Sequence, residues 1–310
     1  MNGFLFLDKP CGISSARCVA IIKKILNEEK VGHCGTLDPL ATGMLPICLG
    51  EATKFSSYVS DQSKGYSVKI LFGVETDTGD IEGKQLSTSK INFSLDELKM
   101  VLKSFLGETK QIPPMYSALK QKGKPLYYWA RKGVSIKREP RTIKVEKMNL
   151  KSMNLSEIIE LEIFCSKGTY IRSLVQSIGK QLNTAATVLE LRRTHIGYLN
   201  EELLTQIDIH NKDEYLERIL DIGKVLRNLP KIVLNEKETK KIINGQQVDY
   251  NATQEKEGIV RLYEKEGSFI GIGSVDSSMK VSPKRLINTQ KYSASPVSYT
   301  HLTLPTNREV

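Results

Sequence analysis

The sequence has few of the features that mark metal-binding, redox or membrane proteins. Its five cysteines form no CxxC pair, and its four histidines show no metal-ligand spacing. We therefore expect no metal site, and reduced thiols as in a cytoplasmic protein. No apolar run approaches the roughly 18 residues that cross a bilayer. The apolar stretch near the start, Phe4-Leu5-Phe6-Leu7, is too short for the hydrophobic core of a signal peptide. No P-loop and no strand-linked GxGxxG points to a nucleotide cofactor.

Positive charge is abundant instead. The chain of 310 residues has a net charge of +10 and a pI near 9.2, which favours a polyanionic partner over a basic proteome background. The charge is concentrated, because residues 110–147 contain eleven Lys or Arg and only two acidic residues. Aromatic residues interleave with it, as on surfaces that contact phosphates and bases: Tyr116, Tyr127, Tyr128 and Trp129.

Apolar spacing predicts a mixed secondary structure. A strand over Phe4–Leu7 precedes a helix that Ser14 or Ser15 caps, with apolar residues at helical spacing up to Leu26. Period-two patterns predict strands from Tyr66 to Phe72 and from Ile158 to Cys165. A helix then follows Gly168. Since strands and helices do not alternate regularly, we expect an α+β fold with a largely antiparallel central sheet flanked by helices.

A domain boundary is predicted near Leu229-Pro230. Residues 230–287 read as mostly short strands with one helix closed by Gly245, which predicts a small β-rich domain. A small packing domain without an RNA role is the alternative. Residues 288–310 have no periodic pattern, and we expect an unstructured or foreign tail there. The N-terminal domain would then span residues 1–229.

One loop carries the strongest signal for function. The run Gly32-His33-Cys34-Gly35-Thr36-Leu37-Asp38-Pro39-Leu40-Ala41-Thr42-Gly43 places one carboxylate among small residues, which let a substrate approach the backbone closely. An Asp before Pro on its own is most often a turn or cap residue. The whole run, however, resembles the active-site loop of the TruB family, which makes pseudouridine in the T arm of transfer RNA. Cys34 departs from the family, where Thr is more frequent.

Four further segments resemble the family at compatible spacing, so that the resemblance covers nearly all of residues 2–287. They are Gln111–Lys120, Gly123–Tyr127 with Ala130–Gly133, Cys165–Leu174, and Leu191–Arg193. The β-rich segment resembles the PUA domain, an RNA-binding module that follows the catalytic domain in many such enzymes. The resemblance implies a pseudouridine synthase fold with a PUA-like domain.

The resemblance implies roles for individual residues. Asp38 would be the catalytic carboxylate, and Arg172 could pair with it, favouring its ionised form. Tyr66, Tyr170 and Leu191 would line the uridine pocket, although Tyr66 and Leu191 taken alone read as core residues. His33 would enter the T loop when the target nucleotide flips out; a backbone-bonded loop histidine is the alternative.

The function implied is isomerisation of uridine 55 in the tRNA T stem-loop, without a cofactor or metal. The sequence leaves the oligomeric state open, and a monomer is the default expectation. The alternatives are a non-catalytic RNA-binding protein or tRNA chaperone, and a related guide-dependent synthase acting on ribosomal RNA. Whether Asp38 attacks the base, attacks the sugar or removes a sugar proton stays open. Lys9 is a structural or RNA-contact residue. The other residues predicted to bind RNA are Lys120, Lys124, Arg131, Lys132 and Arg141.

Overall fold

The computed structural model describes residues 1–121, 123–154, 157–208, 212–250 and 257–288. The strands are β1 (Gly3–Lys9), β2 (Val31–His33), β3 (Thr42–Leu49), β4 (Lys64–Phe72), β5 (Val74–Thr76), β6 (Gln85–Thr88), β7 (Gly107–Gln111), β8 (Lys120–Gln121), β9 (Lys124–Pro125), β10 (Arg141–Asn154), β11 (Ile158–Cys165), β12 (Ala186–Ile196), β13 (Lys231–Leu234), β14 (Val248–Asp249), β15 (Gly258–Glu264), β16 (Phe269–Val275) and β17 (Lys280–Leu286). The helices are α1 (Ser15–Leu26), α2 (Ser56–Ser60), α3 (Leu95–Ser104), α4 (Leu126–Ala130), α5 (Ile171–Gln181), α6 (Lys212–Arg218), α7 (Ile222–Val225) and α8 (Glu236–Ile243).

Eight strands form the central sheet. Seven of them have the order β1-β3-β12-β4-β11-β10-β7. The eighth, β2, pairs with the C-terminal end of β3, whereas β12 pairs with its N-terminal end. All pairs in it are antiparallel except β12 with β3, which is parallel. The α+β fold with a largely antiparallel sheet is thus confirmed. The strand and helix patterns that the sequence predicted are confirmed as well, and Ser14 is the N-cap of α1.

Strand β1 is buried on both faces, because two different layers cover the sheet. Leu5 and Leu7 pack in a cluster with the helices α1, α3 and α5, whereas Phe4 and Phe6 face a second cluster. A strand covered on both faces reads as a continuous apolar run rather than as an alternating one. This explains the uninterrupted apolar sequence at the start of the chain.

The second cluster includes residues on both sides of the predicted boundary at Leu229–Pro230. Phe55 packs edge-on against Phe269 of β16, with the ring centroids 5.6 Å apart. The C-terminal residues form a five-stranded sheet of order β13-β15-β16-β17-β14. A β-rich C-terminal domain is therefore present, and it packs directly on the central sheet.

The predicted tail lies outside the described residues except for Asn288. No helix in the described ranges combines the length and the apolar character needed to cross a membrane.

Candidate active site

The Asp38 loop connects β2 to β3 and lies over the point where β3 meets β12. Gly43 closes the loop with φ = 89°, a conformation that side chains disfavour. A Cβ at this position would lie 2.4 Å from the carbonyl oxygen of Arg193 in β12. Only glycine allows the two strands to approach this closely, and their approach brings the loop to the centre of the sheet.

The backbone on both sides of Asp38 is fixed by hydrogen bonds. The hydroxyl of Ser15 accepts from the Leu37 amide at 2.9 Å and donates to the Leu37 carbonyl at 3.0 Å. On the other side, the carbonyl of Pro39 accepts from the Lys9 ammonium at 3.0 Å and from the Gly12 amide at 2.9 Å. These contacts hold the carboxylate in one place, as a catalytic group requires.

Lys9 is fully buried, and its ammonium also donates to the carbonyls of Pro10 and Ile13. All three of its protons are therefore used inside the protein. This burial contradicts the predicted RNA contact of Lys9 and supports the structural alternative.

Arg172, near the start of α5, is 4% exposed and holds Asp38 directly. Its Nη2 lies 2.8 Å from Oδ2 of Asp38. The same guanidinium donates to the carbonyls of Thr78 and Tyr116, each at 2.7 Å, and lies 3.6 Å from the carboxylate of Asp80. The guanidinium is therefore fixed from three further directions, and it orients the carboxylate of Asp38.

The pKa of Asp38 lies above its usual range. Burial is the main cause, and the charge of Asp80 adds to it, whereas Arg172 lowers the pKa. Arg172 thus acts in the predicted direction, but desolvation outweighs it. The side chain of Asp38 remains 38% exposed, so that its carboxylate is accessible from the cleft.

A cleft of about 320 Å³ opens above Asp38. Its size suits a single nucleotide rather than a helical stem. Five of the predicted site residues line it together: Asp38, Tyr66, Tyr170, Arg172 and Leu191. They come from the loop before β3, from β4, from the start of α5 and from β12, so that the fold alone brings them together.

Both tyrosines are held by neighbouring polar groups. Gln111 makes two hydrogen bonds to the backbone of Tyr170, of 2.8 and 3.0 Å. Tyr66 is paired across the sheet with Arg193, whose guanidinium donates to the carbonyls of Met44 and Gly35. Burial raises the pKa of both phenols, so that they are protonated at neutral pH.

His33 does not line the cleft with these residues. It ends β2, opposite Ile47 of β3, and its Nδ1 is buried without a hydrogen-bond partner among the described residues. Burial and the charge of Arg193 lower the pKa of His33, which makes the neutral ring the main form at neutral pH. Cys34, where the loop departs from the family pattern, is buried and does not line the cleft.

The five other residues predicted to bind RNA are all exposed and lie between β8 and the start of β10. Lys124 and Lys132 lie over the ring of Tyr128, at 4.5 and 4.7 Å from its centroid, and Arg131 lies over Tyr127. Such cations and rings on one surface suit contacts with phosphates and bases.

Several residues around the cleft were not predicted to belong to the site: Ser15, which was named only as a candidate helix cap, and Lys64, Asp80, Gln111 and Arg193. Gln111 and Arg193 lie in segments that resemble the family, so that their position in the motif was an available signal. Asp80 lies in a turn after β5 that has no periodic pattern. Its role emerges only from the contact with Arg172.

Comparison with known proteins agrees with this geometry. A sequence model described as the N-terminal domain of TruB family pseudouridylate synthases matches residues 23–171, and one described as the TruB C-terminal domain of pseudouridine synthase II matches residues 230–287. The tRNA pseudouridine synthase B of Actinobacillus succinogenes is 40% identical over 298 residues, which cover 93% of this chain and 94% of that protein. The protein of the same name from Pseudomonas fluorescens is 41% identical, with coverages of 94% and 97%.

A solved structure shows the same fold at lower identity. A structure of an H/ACA RNP bound to a substrate RNA containing 2′-deoxyuridine contains a chain that is 25% identical, with a TM-score of 0.70. The match covers 92% of this chain and 84% of that one. The fold and the cleft thus define a pseudouridine synthase, an enzyme of the isomerase class. Within that class, this chain belongs to the TruB family.

Proposed function

We propose that this enzyme converts uridine 55 in the T arm of tRNA to pseudouridine, with Asp38 as its catalytic carboxylate. The observation that carries the proposal is the 2.8 Å contact, in the cleft, between Asp38 and Arg172, which is buried and hydrogen-bonded to two backbone carbonyls. Relatives named tRNA pseudouridine synthase B at about 40% identity support tRNA as the substrate.

The contacts suggest how the carboxylate works. Arg172 engages Oδ2 of Asp38, which leaves Oδ1 for the substrate. In the reaction, the uracil base leaves the ribose through N1, turns, and rejoins through C5. The ionised carboxylate can attack the ring or the sugar, or remove a sugar proton, and each route needs an oriented anion. Atoms are conserved overall, so the isomerisation consumes no redox equivalent.

The other lining residues suit a flipped uridine. Tyr66 and Tyr170 offer protonated aromatic side chains for stacking, and Leu191 offers an apolar wall. Flipping is required because the glycosidic bond is inaccessible in a structured loop. His33, with a neutral ring and an Nδ1 that has no partner among the described residues, would occupy the space that the nucleotide vacates.

The exposed cations from Lys120 to Arg141 would hold the phosphates of the T stem-loop. We further propose that the enzyme acts as a monomer in the cytoplasm, where tRNA is modified. A tRNA-folding activity alongside catalysis would use the same cations, because opening the T arm is part of substrate entry.

Release of tritium from C5-labelled uridine in a T-arm stem-loop tests the proposal, since C5 loses its hydrogen when the new bond forms. We expect release at the target position and none from a stem-loop whose only labelled uridine lies elsewhere. If neither the stem-loop nor full-length tRNA releases tritium, the substrate assignment is wrong.

A further inference from the structure

The cleft has a second end that the proposed chemistry at Asp38 does not use. Lys64 and Arg193 line the cleft here, and Lys64 lies beside Ser60, to whose carbonyl it donates, and opposite Cys165 of β11, which Ser166 and Thr169 follow. Lys64 is 6% exposed and Arg193 is 2% exposed. Buried cations are costly to desolvate unless an anion accompanies them.

Neither cation has an acidic partner in the described part of the chain. Ion pairs there include neither Lys64 nor Arg193, and the carboxylate of Asp61 next to Lys64 is paired with Lys167 at 2.8 Å. Their hydrogen bonds go to carbonyl oxygens instead: Lys64 donates to Ser60 and Gln62, and Arg193 donates to Met44 and Gly35. The positive charge at this end of the cleft is therefore unbalanced.

One proton of the Lys64 ammonium remains for a ligand, because two of its three donors are engaged by carbonyls. Among the hydroxyl groups beside it, those of Ser60 and Thr169 donate to backbone carbonyls, whereas that of Ser166 only accepts from the Lys144 amide and keeps its own proton for a ligand. A lysine ammonium and a serine hydroxyl are groups that proteins use on phosphate oxygens. The composition of this end thus matches a phosphodiester better than a neutral base or sugar.

The position also fits one nucleotide. Lys64 and Tyr66 lie on the same face of β4, two residues apart, a separation of about 6.6 Å along a strand. A base that stacks on Tyr66 would therefore bring a phosphate of its own nucleotide close to Lys64. The acidic end with Asp38 repels a phosphate, whereas this end attracts it.

We propose that Lys64, supported by Arg193, forms a binding site for a phosphodiester that flanks the flipped uridine. This inference rests on the proposed function, because it assigns a part of the same RNA substrate to the unused end of the cleft. The site would draw the nucleotide into the cleft by its backbone while Asp38 and Arg172 engage the base and the sugar.

The test combines Lys64→Met with RNAs in which a single phosphate next to the target uridine is replaced by a neutral methylphosphonate. Lys69→Met is the matched control, since it removes one positive charge from a partly exposed lysine of the same strand, on the face opposite Lys64 and paired with Glu190. With wild type, we expect one of the two methylphosphonates to weaken binding by about 10-fold. That replacement should have no further effect on Lys64→Met, but its full effect on Lys69→Met.

Salt dependence gives a second readout. Loss of one phosphate contact reduces the slope of log K against log salt by about 0.7–0.9, and we expect this for Lys64→Met alone. Equal losses from the methylphosphonate in wild type and Lys64→Met, or equal slopes, would overturn the proposal. A merely structural Lys64 would lower the melting temperature without moving either readout.

Two controls keep the outcomes distinct. If Lys64→Met does not fold, the test uses the wild-type protein alone. Unchanged wild-type binding to both methylphosphonate RNAs would then overturn the proposed site. Failure of wild type to bind or to convert the unmodified stem-loop would instead refute the proposed function. If wild type converts the unmodified RNA but Lys64→Met changes neither the methylphosphonate effect nor the salt slope, only this inference is refuted.

Discussion

Arg172 and Arg193 are both almost completely buried, and each donates to two backbone carbonyls, yet among the residues that the structure describes only Arg172 has carboxylate partners. Arg172 joins Asp38 to Asp80, so its charge is balanced by the acid that it orients. Arg193 faces the Tyr66 phenol, and burial lowers the pKa of its guanidinium. The same side chain thus fixes an acid at one end of the cleft and leaves positive charge at the other.

This difference assigns separate tasks to the two ends. A carboxylate must be held still to act on one atom of a substrate, and a guanidinium with several fixed contacts does this. Unbalanced positive charge attracts a phosphate, which needs less exact placement. The following variants change one side of the comparison at a time.

Among substitutions of the residues that support Asp38, Arg172→Lys should reduce kcat the most. Lysine keeps the charge, but it cannot reach Asp38 and the carbonyls of Thr78 and Tyr116 together. We expect kcat to fall by about 10²- to 10³-fold, with a much smaller change in RNA affinity. Single-turnover rates and filter binding measure the two quantities. Arg192→Lys, at a partly exposed arginine paired with Asp8, is the control and should retain its rate.

Asp80→Asn should lower the rate by about 10-fold, because Arg172 loses one of the groups that fix it. The variant also removes a charge that raises the pKa of Asp38. The acid limb of the pH–rate profile should therefore move to lower pH. Glu82→Gln, at an exposed residue of the same turn, should leave the profile unchanged. A shift to higher pH in Asp80→Asn would contradict the electrostatic role.

Ser15→Ala should lower kcat by about 3- to 10-fold, because the residue before Asp38 loses both of its bonds to the hydroxyl. Stability should fall by about 1–3 kcal/mol, since a buried amide and carbonyl lose a partner. Ser14→Ala removes the cap of α1 and should cost about 0.5–2 kcal/mol of stability without loss of rate. Equal rates for the two variants would show that Ser15 serves stability alone.

The smallest expected effect is on how the stability of the folded protein depends on pH. Because the folded state raises the pKa of Asp38, it binds the proton more tightly than the unfolded chain does. This contribution to wild-type stability is present at pH values below the unfolded pKa and is lost as the pH rises through the folded pKa. The melting temperature of Asp38→Asn relative to wild type should therefore increase from pH 4 to pH 7. A relative decrease over this range would contradict the direction of the pKa shift.

The sequence was most informative where local patterns decide the structure. Period-two spacing placed Tyr66 on a strand, and helical spacing placed Arg172 at a strand-to-helix junction, as the structure confirms. These elements form from neighbouring residues, so their patterns are visible in a short window. The match of the Asp38 loop to a known family added the location of the site.

What the sequence did not reveal depends on contacts between distant segments. The pairing of β3 with β12 joins residues about 150 positions apart, and it creates the close approach at Gly43. Asp80 meets Arg172 across about 90 positions, and its turn carries no pattern of its own. Lys9 reads as a cation free to bind RNA until its three carbonyl partners are seen. Burial of a polar group is a property of the fold rather than of the motif.

The central claim is that Asp38 performs the chemistry and does not merely support the fold. The most direct measurement compares wild type with Asp38→Asn for single-turnover conversion of a T-arm stem-loop and for its dissociation constant. We predict a rate at least about 10³-fold lower, with nearly unchanged affinity and a folded protein. Conversion at a rate close to wild type, or loss of binding together with conversion, would contradict this role of Asp38.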